Sequence, residues 1–257
     1  MHRSGTSALT RVLSLHGFAL PQDLLGGRVD NPKGFFESAG MVALDDRILA
    51  ALGRSWDDAR PLPALPAPLL KDFVAEAAGV LAKIVPPAQH FILKDPRLCR
   101  LLPVWLPALA RFGATPRAII PLRNPLEIAA SLVARDGMAK RAALKLWLSH
   151  MVAAERDTRG LPRAFTRYAD LLADWRGVLA SLGIPVREDA AAETDAFLSS
   201  GLRHHAMAKD ALEADAEVPR AVKRLAMALR GAASPDTVTA AFDAAGRSRL
   251  LGLPRDG

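Results

Sequence analysis

The chain has 257 residues, 50% of them apolar and 24% charged, with a formal net charge of +7 and a single cysteine, Cys99. This is the balance of a globular protein able to bury most of its unfolded surface. It excludes an intramolecular disulfide and argues against a zinc–thiolate centre. No run of about eighteen apolar residues is present to span a bilayer. The charge admits an anionic partner, and a composition favouring Arg over Lys would also produce it. Basic residues are spread along the chain without a nucleic-acid-reading motif, so no nucleic acid is expected as a partner. With no secretory leader ahead of Arg3-Ser4-Gly5, the expected location is cytoplasmic.

Taken in order, residues Thr6 to Leu15 place apolar side chains at helical spacing, and Gly17 stands where such a helix would stop. Phe18 to Phe36 contains Pro21, Gly26, Gly27, Pro32 and Gly34 and reads as a long loop. Ser38 is placed to cap a helix running to about Leu52 and closed by Gly53. A proline-rich stretch over residues 61–68 separates it from a helix at about Leu69–Val85. His90–Leu93 and Arg117–Leu122 read as buried parallel strands, each followed by a helix, with Pro121 an awkward member of the second. Ala164–Tyr168 is a third candidate strand. Strand–helix alternation of this kind predicts an α/β fold, a parallel sheet flanked by helices. Residues 1–185 would form the α/β core and 186–257 a helical C-terminal extension of one domain.

His2-Arg3-Ser4-Gly5-Thr6-Ser7 leads directly into the first predicted helix. Backbone N–H groups at a helix N-terminus, two or more hydroxyls, a glycine and a forked cation together suit an anion. Ser and Thr also cap helices without binding anything. The loop lacks the lysine of G-x-x-x-x-G-K-[ST], and no apolar strand ends downstream in an Asp for magnesium, so triphosphate hydrolysis is not expected. A second candidate phosphate site is Arg123-Asn124-Pro125, with Ser131 eight residues after Arg123. Arg123 would leave the end of a strand, Pro125 would start a helix and Ser131 would lie in its second turn, at the strand ends where open α/β sheets bind ligands.

Arg3-Ser4-Gly5-Thr6-Ser7 resembles the 5′-phosphosulfate loop of the sulfotransferase family. Arg123 to Ser131 is similar to that family's 3′-phosphate segment, and Leu93-Lys94-Asp95-Pro96-Arg97 to its strand-ending Lys-Asp-Pro. The resemblance covers about residues 1–175. It implies a P-loop-like three-layer nucleotide-binding sandwich, 3′-phosphoadenosine 5′-phosphosulfate as donor co-substrate and no metal. Arg3, Ser4, Gly5, Thr6, Ser7, Arg123 and Ser131 would hold the donor. Lys94 and Arg3 would stabilise charge on the transferring sulfuryl group. Family members carry an apolar strand just before the first loop, whereas this chain starts inside it. The family's late Arg-Lys-Gly segment is not visible either, and Gly201-Leu202-Arg203-His204-His205 is the nearest substitute.

Many family members use a histidine soon after the strand-ending lysine as general base; here Pro96 and Arg97 stand there. Other branches use a Glu from the region after the first helix, and Glu37 matches that placement. A carboxylate at a helix N-terminus would also suit the macrodipole alone. Asp45 and Asp95 are weaker candidates, Asp136 reads as a helix-end residue, and Trp56, Trp105, Trp147 and Trp175 read as core. His204-His205 lacks a third metal ligand. The expected acceptor is a carbohydrate or other small molecule with a hydroxyl or amine. The alternatives are an inactive nucleotide-binding or interaction module of the same fold, and a P-loop kinase.

Overall fold

The structure is a computed structural model and describes residues 1–27, 34–199, 210–231 and 235–251. Gly201 to His205 therefore lie outside the described residues. Helix α1 (Thr6–Leu15) starts at Gly5, whose φ of 88° and ψ of 11° are left-handed. It ends at His16 and Gly17, where the Phe18 amide closes back on the Leu13 carbonyl at 3.2 Å. Helix α2 (Ala39–Ala51) is capped by Ser38, whose hydroxyl accepts from the Met41 amide at 3.1 Å. Helix α3 (Ala67–Ile84) carries a proline in its first turn, where no amide hydrogen is needed. Helix α4 (Leu98–Phe112) keeps Pro103 and Pro107 on its exposed side and buries Trp105 completely.

Strand β1 (Ala118–Leu122) is followed by α5 (Pro125–Asp136), α6 (Lys140–Asp157) and the parallel strand β2 (Arg163–Arg167). Ala118 pairs with Arg163 and Leu122 with Arg167. Because the Ala118 amide donates to Pro162, alternate amides of β1 face β2 and the Pro121 nitrogen faces the other edge. Proline is accommodated there without losing a ladder bond. After β2 come α7 (Tyr168–Ala173), α8 (Trp175–Ser181), a single 3₁₀ turn, α9 (Ala191–Ser199), α10 (Ala211–Ala214), α11 (Arg220–Gly231) and α12 (Pro235–Gly246). No helix among the described residues is long and apolar enough to cross a membrane.

Among the described residues the sheet has two strands, so the molecule is mostly helical around a small parallel pair. The expected strand at His90–Leu93 does not form. Phe91 makes one parallel bridge with Ala19, through Ala19 N–H to His90 O and Ile92 N–H to Ala19 O, both 3.0 Å. The next rung would need an amide hydrogen from Pro21, which has none, so the ladder stops after one step.

Among the described residues, three apolar clusters divide the interior. One packs α2, α3 and α4 around Trp105 and Leu81. Another packs α1 with α7, α8 and α9. The third joins α5, α6, α11 and α12, so the C-terminal helices share a core with the crossover between the strands. Trp105, Trp147 and Trp175 are core residues as expected, while Trp56 is partly buried. The C-terminal end of β1 and the N-terminal ends of α1 and α5 come together, and the candidate site is built there.

Candidate functional site

The first loop owes its shape to two left-handed residues. Arg3 has φ 60° and Gly5 φ 88°. At Gly5 a side chain is excluded twice over: by the dihedral, and because an added Cβ would lie 2.2 Å from Tyr168 Cδ2. Tyr168 is the first residue of α7, immediately after β2, so the end of the sheet presses directly on the loop. The Ser4 hydroxyl turns inward to donate to the Met1 carbonyl at 2.7 Å, which leaves Ser4 to act through its backbone. Thr6 opens α1 and Ser7 lies in its first turn.

Two of the expected donor-binding residues reach across the chain to this loop. Arg3 Nε donates to Ser131 Oγ at 2.7 Å, and Arg123 Nη1 donates to the Arg3 carbonyl at 3.0 Å. Arg123 leaves the end of β1, and Asn124 caps α5 by accepting from the Leu126 amide at 3.0 Å. The Arg123 guanidinium is held by Glu127 at 2.9 Å and lies 4.6 Å from the centre of the Tyr168 ring. Glu127 and Tyr168 were not anticipated from the sequence. Glu127 is legible in hindsight as an i,i+4 partner of Arg123, and Tyr168 by its place just past a parallel strand.

On the other side of the loop, Lys94 and Glu37 form a buried ion pair, their side chains 8% and 9% exposed. Lys94 Nζ also donates to the Phe35 carbonyl at 2.9 Å and to Ser7 Oγ at 3.3 Å. Ser7 Oγ donates in turn to the Phe35 carbonyl at 3.2 Å. Burial pushes the Glu37 carboxyl above its ordinary range, with the nearby Asp95 adding to it and Lys94 opposing. Burial likewise lowers the Lys94 ammonium, against the pull of Glu37 and Asp95. Both shifts favour the neutral forms, so removal from water outweighs the attraction between the partners.

The weaker candidates hold the scaffold instead. Asp95 accepts from the Arg97 amide at 2.6 Å and from its guanidinium at 3.1 Å, which fixes the turn after Lys94. Arg97 also pairs with Asp46 at 2.8 Å. Asp45 is fully buried, accepts from Trp105 Nε1 at 2.7 Å, and is held well above the carboxylate range by burial and by Asp95. Asp136 ends α5, as expected.

Arg3, Ser4, Gly5, Thr6, Ser7, Lys94, Glu37, Arg123 and Ser131 thus converge on one loop, from positions up to 128 residues apart. Three cations, two helix N-termini and a carboxylate shifted toward the range of a general base suit an anionic group being transferred to a protic acceptor. No protein-family model, curated protein or solved structure matches the chain.

Proposed function

We propose that the protein is a sulfotransferase that moves a sulfuryl group from 3′-phosphoadenosine 5′-phosphosulfate to a hydroxyl or amine of a carbohydrate or small molecule. The observation that carries this reading is the link from Ser131 through Arg3 to Arg123, which joins the two candidate phosphate motifs at one place. On this reading the small parallel pair and its helices belong to a P-loop-like sandwich.

Arg123 and Ser131 would hold the 3′-phosphate, while Arg3 and the amides opening α1 would hold the 5′-phosphosulfate. Lys94 would offset charge developing on the sulfuryl oxygens. Glu37 would take the acceptor proton as the acceptor oxygen or nitrogen bonds to sulfur. The sulfur–oxygen bond to the 5′-phosphate breaks in the same transfer, and 3′,5′-ADP leaves.

A thermal-shift titration with 3′,5′-ADP tests the donor site against ATP–magnesium and buffer. At about a hundredfold excess over its dissociation constant, a ligand adds roughly 2.7 kcal/mol, or about 5–10 °C for a chain of this size. The expected outcome is a rise with 3′,5′-ADP that Arg123→Ala cuts to about a third. A response to ATP–magnesium alone would favour a kinase, and no response to either would favour an inactive module.

A further inference from the structure

The oxygen held between Ser7 and Lys94 belongs to the protein itself. The Phe35 carbonyl accepts from Lys94 Nζ at 2.9 Å and from Ser7 Oγ at 3.2 Å, so one oxygen receives a phosphate-loop hydroxyl and the buried cation together. The Glu37 carboxylate takes the same ammonium from the same short segment. Lys94 is therefore saturated by a hydroxyl, a carbonyl and a carboxylate, and a transferring anion would have to displace part of that shell.

The backbone that delivers the carbonyl is strained. Phe36 has φ 55°, a left-handed conformation that bulky non-glycine residues rarely adopt, and Gly34 has φ 90°. The two left-handed residues flank Phe35. Beyond them the chain is anchored: Leu25 donates to the Glu37 carbonyl at 2.8 Å, Leu24 bridges Ser38, and Asp23 accepts from the Ser38 hydroxyl at 2.9 Å and the Gly40 amide at 2.8 Å. The tie at Leu25 and Asp23 gives a fixed base, with the strained turn standing on it.

We propose that Gly34–Glu37 is an internal plug, in which the Phe35 carbonyl stands in for an oxygen of the transferring anion between Ser7 and Lys94 until the donor displaces it. The idea rests on the sulfotransferase reading of this site. While the plug is seated, Lys94 engages Glu37 and the base is masked. Entry of the anion takes Lys94 away, releases the turn and leaves Glu37 to meet the acceptor. Donor therefore binds before acceptor, and the strain at Phe36 favours release.

Two substitutions bias the turn in opposite directions. An added Cβ at Gly34 meets nothing within 4 Å, so Gly34→Ala acts through the backbone alone and disfavours the seated form. Phe36→Gly removes the left-handed penalty and favours it. The first readout needs no ligand: the rate at which an acylating reagent modifies Lys94, read by mass spectrometry against the exposed Lys71. Relative to wild type, labelling should quicken about fivefold to tenfold in Gly34→Ala and slow in Phe36→Gly. The second readout is calorimetric affinity for 3′-phosphoadenosine 5′-phosphosulfate without acceptor, because it carries the group the plug stands in for and 3′,5′-ADP does not. That affinity is expected to tighten in Gly34→Ala and weaken in Phe36→Gly.

Unchanged labelling in both variants would overturn the plug whatever the nucleotide does. Altered labelling with equal nucleotide affinities would also overturn it, because the turn would then not compete with the donor. Opposed labelling shifts with no nucleotide binding in any form would support a self-filled anion site and remove the sulfotransferase reading instead.

Discussion

On the α5 side of the loop, Arg123 is braced by Glu127 in the first turn of α5 and by the Tyr168 ring, and Arg3 is braced by Ser131. On the α2 side, Lys94 is met by a carboxylate and a carbonyl from one short, strained turn. The first set of partners comes mostly from helices and is fixed before any ligand arrives. The second set comes from a segment that can leave. One half of the site is prepared to grip, and the other is prepared to rearrange, which is the division expected when binding must precede proton transfer.

The sharpest way to separate the halves is Glu37→Gln. If Glu37 is the base, transfer should fall about 10²- to 10⁴-fold while 3′,5′-ADP binds at least as tightly as before. A wild-type rate in this variant would remove Glu37 from the chemistry. The pH profile gives the same test without mutation. As a base Glu37 would work as the carboxylate, and burial raises it above the usual 4.5. Activity should therefore be lost on acidification through a midpoint above 4.5, and the Gln variant should lose that limb.

The rigid half should break hardest at Gly5. Gly5→Ala imposes a left-handed penalty and drives Cβ to 2.2 Å from Tyr168 Cδ2. We expect about 3 kcal/mol of lost stability in urea unfolding. Adding Tyr168→Ala should recover the overlap but not the dihedral cost, so a double-mutant cycle divides the two. Additive losses would mean that the tyrosine does not bear on the loop.

Arg123→Ala should weaken 3′,5′-ADP by about 2 kcal/mol, roughly 30-fold, as expected for losing a charged hydrogen-bond donor. It also leaves the buried Glu127 without this cation, so some stability should go with it. The Arg123→Ala, Glu127→Ala double variant should regain that stability and none of the affinity. Recovery of affinity would place the phosphate elsewhere.

Much of this site was legible because its residues sit at element boundaries, which sequence marks well. Ser38 and Gly53 bound α2 where expected, and the start of α1 just after Arg3-Ser4-Gly5 was set by spacing alone. Pairing was less legible. The His90–Leu93 run has the composition of a strand, but its partner Ala19 is followed two residues later by Pro21, and only the fold brings the two together. Tyr168 and the Phe35 carbonyl were hidden for a related reason. One acts through its ring against a glycine 163 residues away in sequence, the other through a backbone atom that no side-chain pattern encodes.

The smallest expected effect tests whether the base of the rearranging half is itself firm. Ser38 caps α2 through Met41 and donates to Asp23 at 2.9 Å, so its hydroxyl ties the helix start to the chain beneath Glu37. Ser38→Ala should cost about 1 kcal/mol of stability through the lost cap. Its second consequence separates the halves again: the Glu37 segment loses one of its anchors, while Arg3, Arg123 and Ser131 keep all of theirs. Transfer should then fall by more than the affinity for 3′,5′-ADP. Equal losses in both would mean that the two sides of the loop move as one body, and that the rearranging half is as rigid as the gripping one.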